Sequence, residues 1–147
     1  MIYNSTIERN LMKIVKVDMT TDLQKAISEA KTPYEDRKVV FDYIMNEMRG
    51  VYISCDGIEI TISSRTAKKY VNNAFEAKLR AAPHIIEMLQ HSEFVCIVDA
   101  NHKRYSKFIY YKTNFDVDGK IYSAIINVGI ASGNKAILYD INQIKEQ

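Results

Sequence analysis

The stretch KFIYYKTNFDVDGKIYSAIINV, residues 107–128, predicts a long β-hairpin that turns at Asp118-Gly119. Both residues of this pair favour positive φ, which a tight two-residue hairpin turn requires. Counting outward from the turn gives a largely apolar set of facing pairs: Phe115 with Tyr122, Thr113 with Ala124, Tyr111 with Ile126, and Ile109 with Val128. Facing residues lie on the same side of a sheet. This set therefore predicts the side that packs against helices.

The other side of the hairpin carries cationic, polar and aromatic side chains together. Its members are Phe108, Tyr110, Lys112, Asn114, Ser123, Ile125 and Asn127. The connection that enters the hairpin, DANHKRYS (residues 99–106), adds His102, Lys103 and Arg104. We expect this side to lie away from the helices. Loop and sheet together would then offer cations, phenols and an imidazole.

Helical patterns fill most of the chain before the hairpin. TTDLQKAISEA (residues 20–30) and PYEDRKVVFDYIMNEMRG (residues 33–50) repeat apolar residues at helical spacing. Further helices are predicted between residues 63 and 91, with Ser63 or Ser64 as the N-cap.

Two shorter stretches predict strands before the main hairpin. VYISCDGIEITI (residues 51–62) predicts a hairpin around Asp56-Gly57, in which Ile53 faces Ile60. FVCIV (residues 94–98) predicts a short buried strand, because the run is continuously apolar.

The two ends of the chain complete the expected architecture. KAILYDI (residues 135–141) predicts a last strand, while STIERNLMKIVKV (residues 5–17) fits either a helix or an extended segment. The sum is an α+β fold in a single domain, residues 1–147: N-terminal helices followed by a predominantly antiparallel β-sheet that packs on helices on one face. Residues 1–50 would form a helical N-terminal extension, and residues 51–144 the α+β core.

Composition and charge narrow the class of protein. Hydrophobic residues make up 47% of the chain and charged residues 26%, the balance of a folded domain. No apolar run is long enough to span a bilayer and the start lacks a signal pattern, so we expect a cytoplasmic protein without a membrane partner. The net charge is only +2, but Arg65 to Lys112 contains nine Lys and Arg against four Asp and Glu. Such a basic zone favours a polyanionic partner, and an ordinary solvated surface is the alternative.

The chain has no glycine-rich phosphate loop, no GxSxG motif and no His, Cys and Asp at metal-ligand spacing. We therefore expect no metal ion and no cofactor. Metal-free RNA cleavage needs a base for the ribose 2′-hydroxyl, cations for the phosphorane and an acid for the leaving oxygen. His102, Lys112 and Ser123 offer such groups. The alternative is that the lysine keeps an exposed strand soluble and the tyrosines fill a half-buried surface.

Four pieces of the chain follow a familiar order: KKYVNNAFEAKLRAAPHIIEMLQHSEFV, DANHKRYS, the long hairpin and LYDI. This order resembles the phage- and mobile-element-associated branch of the barnase–EndoU–colicin–RelE-like (BECR) nuclease superfamily, over roughly residues 51–144. Members occur as domains of large polyvalent phage proteins and as toxin tips. The resemblance implies a sheet whose exposed side binds RNA, and often cleaves it without metal.

The leading hypothesis is a metal-independent ribonuclease-like domain that cleaves tRNA or mRNA by 2′-hydroxyl transesterification. The expected catalytic residues are His102, Lys103, Lys112 and Ser123. The expected nucleic-acid-binding residues are Arg104, Lys107, Tyr110 and Asn127. For a toxin-like domain, an immunity or antitoxin protein is a further expected partner.

The alternative hypothesis is a non-catalytic module of the same fold that binds nucleic acid or protein. Phe108 and Ile125 motivate it, because apolar side chains on an open sheet suit a partner protein or a homodimer. Residues 1–50 could also cover the site as a lid.

Overall fold

Helices occupy the first part of the chain and long strands the second part in the computed structural model, which describes residues 13–147. The helices are α1 (Asp22–Glu29), α2 (Pro33–Tyr43), α3 (Ser64–Val71), α4 (Glu76–Ala81) and α5 (Ile85–Gln90). The strands are β1 (Ile14–Lys16), β2 (Gly50–Ile53), β3 (Glu59–Ile62), β4 (Glu93–Asp99), β5 (Lys107–Val117), β6 (Lys120–Ile130) and β7 (Ala136–Glu146). A π-helical turn, Ile44–Met48, continues α2, and short 3₁₀ turns lie at Ala82–His84 and Ser132–Asn134.

The strands form one curled, mixed sheet in the order β1-β5-β6-β7-β3-β2. β4 pairs with the same edge of β5 as β1, at the opposite end of that strand. The β1–β5 and β3–β7 pairs are parallel and the others antiparallel. The α+β class with a predominantly antiparallel sheet is thereby confirmed. The ambiguous segment 5–17 is extended at Ile14–Lys16, and its residues 5–12 lie outside the described part.

The long hairpin has the predicted register. Asp118 and Gly119 both have positive φ, 52° and 87°, and all four predicted pairs are present. Tyr111, Phe115 and Ile126 are buried on the side that faces the helices. Because a shift of one residue would turn this side outward, burial and turn chemistry both fix the register.

The predicted register of the first hairpin was wrong by one residue. Ile53 faces Glu59, and Tyr52 faces Ile60. The Ser54 N–H donates to the Ile58 carbonyl oxygen at 2.9 Å, so the loop consists of the three residues 55–57 instead of two. Gly57 has positive φ (83°) but Asp56 does not, unlike a two-residue turn. The Asp56 carboxylate accepts a hydrogen bond from the hydroxyl of Tyr111 at 3.0 Å. This long-range contact, which the local sequence does not encode, favours the longer loop.

FVCIV is a strand but was wrongly predicted to be buried. Phe94, Val95 and Ile97 are 45%, 50% and 53% exposed. Within residues 13–147, β4 pairs only with β5, and α5 packs over β5 and β2 rather than over β4. β4 is therefore an apolar edge strand beyond the layer of helices.

Helices α3 and α4 lie along the edge of β7 that β3 leaves unpaired. β3 pairs only with Ala136 and Ile137 of β7. Further along, the Thr66 hydroxyl donates to the carbonyl oxygen of Leu138 at 2.6 Å. A buried ion pair joins Lys78 Nζ of α4 to Asp140 Oδ1 at 2.8 Å. These contacts hold α3 beside β7, and the candidate site lies at this junction.

Candidate nucleic-acid interface

A groove of about 740 Å³ lies between α3, β7 and the 99–106 loop. We call it the basic groove. Its lining residues are Arg37, Arg65, Thr66, Lys68, Lys69, Val71, Asn72, Asn73, His102, Arg104, Tyr105, Leu138 and Tyr139. Five of them are lysine or arginine, one is histidine, and none is acidic. The lining is therefore suited to an anion.

Helix α3 supplies three of the cations because of its amphipathic spacing. Arg65, Lys68 and Lys69 are three and four residues apart and share one side of the helix. Thr66 and Tyr70 are buried, and Thr66 also lines the inner part of the groove. Ser63 caps the helix start in a capping box with Thr66, which fixes where α3 begins.

The groove cations have no acidic partner within the described part of the chain. Across residues 13–147, the ion pairs within 4.0 Å involve other basic residues, such as Lys38 with Asp42 and Lys107 with Asp99. Unpaired cations that converge on one concave surface produce a local positive potential. That potential can attract a polyanion.

Four aromatic rings, those of His102, Tyr105, Phe108 and Tyr139, form an aromatic cluster, and all but Phe108 line the groove. The ring centroids of Tyr139 lie 5.7 Å from His102, 5.6 Å from Tyr105 and 5.3 Å from Phe108. Tyr105 is buried and packs over Gly129, where a side chain would collide with its ring. Burial raises the pKa of the Tyr105 phenol, so Tyr105 stays neutral beside the cations.

A β-bulge places Tyr139 in this wall. Asp140 faces Asn127 and Leu138 faces Val128, so Tyr139 is the extra residue of β7. Lys69 Nζ lies 5.3 Å from the centroid of its ring, within the range of a cation–π contact. Sequence reasoning missed Tyr139 because no glycine or turn residue in KAILYDI marks the bulge.

Two of the predicted site residues, His102 and Arg104, line the groove. The backbone N–H of Arg104 donates to Nδ1 of His102 at 3.0 Å. In the neutral ring the proton must therefore be on Nε2, which makes that nitrogen a donor. Lys103 is exposed in the same loop but is not among the lining residues.

Three predicted binding residues, Lys107, Tyr110 and Asn127, are not among the residues that line the groove. Lys107 pairs with Asp99 at 3.8 Å, and Tyr110 stacks on Phe108 with centroids 6.4 Å apart. Asn127 is only 5% exposed, and its Oδ1 has no hydrogen-bond partner among the described residues.

Lys112 and Ser123 are not brought together with His102. Lys112 is four residues along β5 from Phe108, about 13 Å at the usual rise of a strand. Ser123 lies still nearer the hairpin turn, and its hydroxyl accepts from Gln147 Nε2 at 2.8 Å. The catalytic roles of these residues stay predictions.

Arg37, Arg65, Lys68 and Lys69 were not among the predicted site residues. For Arg65, Lys68 and Lys69, the signal in the sequence was the basic excess that begins at residue 65 and the helical spacing in SRTAKK. Arg37 comes from α2, and only the fold brings it to the groove.

Neither a metal-binding cluster nor a membrane-spanning helix is found among the described residues. Between residues 13 and 147, no group of three His, Cys, Asp or Glu side chains is arranged to hold a metal ion. No helix in that range is both long and apolar enough to cross a membrane.

Comparison with known proteins gives one match. No curated protein and no solved structure matches the chain. The family model of large polyvalent protein-associated domain 3 matches residues 31–139, which is well over half of the chain and includes every residue that lines the basic groove. The expected association with large polyvalent proteins is thus confirmed. The chain belongs to the large polyvalent protein-associated domain 3 family.

Proposed function

We propose that this domain binds RNA in the basic groove. One observation carries the proposal: five lysine and arginine side chains line a single groove that contains no acidic residue. An ordinary solvated surface mixes charges of both signs, as the Lys38–Asp42 pair on α2 does. A groove of one sign is suited to a phosphate backbone.

The aromatic cluster favours a nucleic acid over other polyanions. Nucleic-acid-binding grooves combine cations for the backbone with aromatic rings for the bases. Here Tyr139 and His102 lie beside Lys69 and Arg104 in the same lining. The resemblance to the BECR nuclease superfamily supports RNA as the ligand.

Cleavage of the bound RNA is the finer part of the proposal. The 2′-hydroxyl loses its proton to a base, O2′ bonds to phosphorus, and the bond to the 5′-oxygen breaks as an acid protonates that oxygen. The products are a 2′,3′-cyclic phosphate and a 5′-hydroxyl. The imidazolium form of His102 would supply the proton and return to neutral imidazole, which requires Nδ1 to give up the hydrogen bond from the Arg104 N–H, while Arg104 and Lys69 suit stabilisation of the phosphorane charge. The base would have to come from a second group, such as Lys103.

A binding assay tests the first part. A labelled RNA pool is titrated in EDTA by fluorescence anisotropy, with the double variant Arg65→Ala/Lys68→Ala and the matched control Lys120→Ala/Lys145→Ala. Both variants remove two exposed cations, but only the first removes them from the groove. We expect at least roughly a tenfold loss of affinity for the groove variant, about 1.4 kcal/mol, and little change for the control. No binding at low salt, or equal losses, would refute the proposal.

A cleavage assay tests the second part. Incubation of the RNA pool in EDTA should yield 2′,3′-cyclic phosphate ends, and His102→Ala should abolish them. Intact RNA after incubation at high protein concentration, with binding preserved, would make the domain a binding module instead.

Binding of protein is a second candidate function, favoured by the exposed strand β4. Phe94, Val95, Ile97 and Val98 are all exposed on it. Phe94 and Ile97 face Tyr111 and Ile109 of β5 and therefore share one side of the strand, and neighbouring exposed apolar side chains of this kind suit an interaction surface. Strand β4, rather than Phe108, now supports the hypothesis of protein binding, because Phe108 packs against Tyr139 in the aromatic cluster.

A second copy of this chain is the partner that suits β4. The acids at its ends, Glu93 and Asp99, lie beside Lys112 and Lys107 of β5, so two copies would meet without net repulsion. Closed dimers are also the commonest assemblies of soluble proteins. Size-exclusion chromatography with light scattering should give a dimer at low and high salt that Ile97→Lys dissociates. A monomer under both conditions would contradict this function.

A further inference from the structure

Tyr139 is held rigidly at the side of the basic groove. Three aromatic rings of the cluster contact it, two of them almost perpendicular to its own plane, at interplanar angles of 81° for His102 and 77° for Tyr105. The bulge fixes its backbone, and α3 holds the neighbouring Leu138 through Thr66. A ring that is already ordered loses little conformational entropy when a ligand packs on it.

The contact over the face of Tyr139 is exchangeable. Lys69 Nζ lies 5.3 Å from the ring centroid, and its ammonium has no acidic partner among residues 13–147. A partly exposed cation–π contact is worth only about 0.5–1 kcal/mol. An incoming planar group could therefore displace the ammonium from the ring. The same lysine would then be free to contact a phosphate in the groove.

We infer that Tyr139 stacks an unpaired nucleobase, so that the groove takes single-stranded RNA in preference to duplex RNA. The inference rests on the proposed function and names the form of RNA that the site accepts. A single strand offers both the phosphates that the groove cations bind and a free base face for Tyr139. In a duplex the base faces are covered by their neighbours, so only the phosphate contacts remain.

Three ligands of similar charge separate stacking from phosphate binding. They are a single-stranded RNA oligomer, the same oligomer with abasic sites at its centre, and a duplex of the same length. We expect the wild-type domain to bind the single strand roughly 5- to 100-fold more tightly than the abasic oligomer. The duplex should also bind more weakly than the single strand.

Substitutions at residue 139 assign the preference to this ring. Tyr139→Ala and Tyr139→Leu should lose the preference for bases and keep the affinity for the abasic oligomer, while Tyr139→Phe should keep both. Leucine retains apolar packing without an aromatic face, so it separates stacking from a folding defect. Phe94→Ala, which removes an exposed ring on β4 far from the groove lining, is the matched control and should behave as the wild type.

The chain contains no tryptophan, so Tyr139→Trp introduces a single fluorescent indole at the proposed stacking position. Its emission should be quenched by the single-stranded oligomer and not by the abasic one. Unquenched emission on saturation with the single strand would overturn the inference.

The outcomes distinguish this inference from the proposed function. If the wild type binds none of the three ligands, the proposed function itself fails. If it binds all three equally and Tyr139→Ala changes nothing, RNA binding stands and the stacking role of Tyr139 is refuted.

Discussion

A single methyl group added at Gly129 should disrupt the aromatic cluster. The Cβ of an alanine there would lie 2.6 Å from Cδ1 and 2.7 Å from Cγ of Tyr105, whereas carbon atoms pack at about 3.5–4.0 Å. The ring would have to move by about 1 Å. It cannot do so freely, because it is 4% exposed and contacts His102 at 4.9 Å.

The expected cost of Gly129→Ala follows from overpacking in a dense interior. Such insertions lower the free energy of unfolding by about 1–3 kcal/mol. For a domain of this size, the melting temperature should fall by roughly 3–12 °C. Urea unfolding monitored by circular dichroism gives the free energy, and RNA titration of the folded variant should show weaker binding, because His102 and Tyr139 both pack on the displaced ring.

A double-mutant cycle with Tyr105→Ala isolates the collision. Without the ring, the methyl group at residue 129 meets no aromatic wall, and its cost should fall below about 0.5 kcal/mol. Gly129→Ala that is as stable as the wild type would refute the packing argument. So would an equal cost in both backgrounds.

Three further predictions concern buried polar groups and a helix start. Lys78→Met should lower the free energy of unfolding in urea by about 3–5 kcal/mol, because Asp140 would keep a buried charge without a partner. The double variant Lys78→Met/Asp140→Leu should recover most of this lost stability. Ser63→Ala should cost about 0.5–2 kcal/mol in the same assay by removing the cap of α3. Burial raises the pKa of both Tyr70 and Tyr111, so above pH 10 the folded chain keeps protons that the unfolded chain releases. The free energy of unfolding should then decrease by about 1.4 kcal/mol per pH unit for each phenol. Tyr111→Phe should make this decrease with pH smaller.

A different experimental result would contradict each of these three predictions. A double variant at Lys78 and Asp140 as unstable as Lys78→Met would show that the lost charge partner is not the cause. Ser63→Ala with wild-type stability would remove the capping argument. Stability that stays level between pH 10 and pH 11 would show that the two phenols titrate normally.

The two hairpins show what local sequence can and cannot predict. In the long hairpin, Asp118 and Gly119 both adopt positive φ and the buried side is largely apolar on both strands, so turn and burial give the same register. In the first hairpin, Asp56 instead binds Tyr111, a residue far along the chain. The dipeptide alone therefore predicts the wrong loop length. Likewise, the apolar run of β4 does not reveal that the helices end before they cover it.

Of the residues that line the basic groove, only members of the 99–106 loop were predicted from the sequence. His102 and Arg104 stood out because they lie two residues apart in a basic connection. The cations of α3 and Arg37 of α2 come from elements that the fold brings beside that loop. Tyr139 depends on a bulge between two strands, and strand pairing is not a local property. Lys112 and Ser123 share a side of the hairpin as expected, but the length of β5 separates them from the loop.

The salt dependence of RNA binding reveals whether the cations of the basic groove contact phosphates. For a single strand, the logarithm of the binding constant falls with the logarithm of salt concentration by about 0.7 for each phosphate contact. Three to five contacts from the groove cations predict a slope of roughly −2 to −3.5 for the wild type, and a slope about 0.7 shallower for Lys68→Ala. Lys120→Ala should leave the slope unchanged. A slope near zero, or one that Lys68→Ala does not change, would contradict binding of RNA in the basic groove.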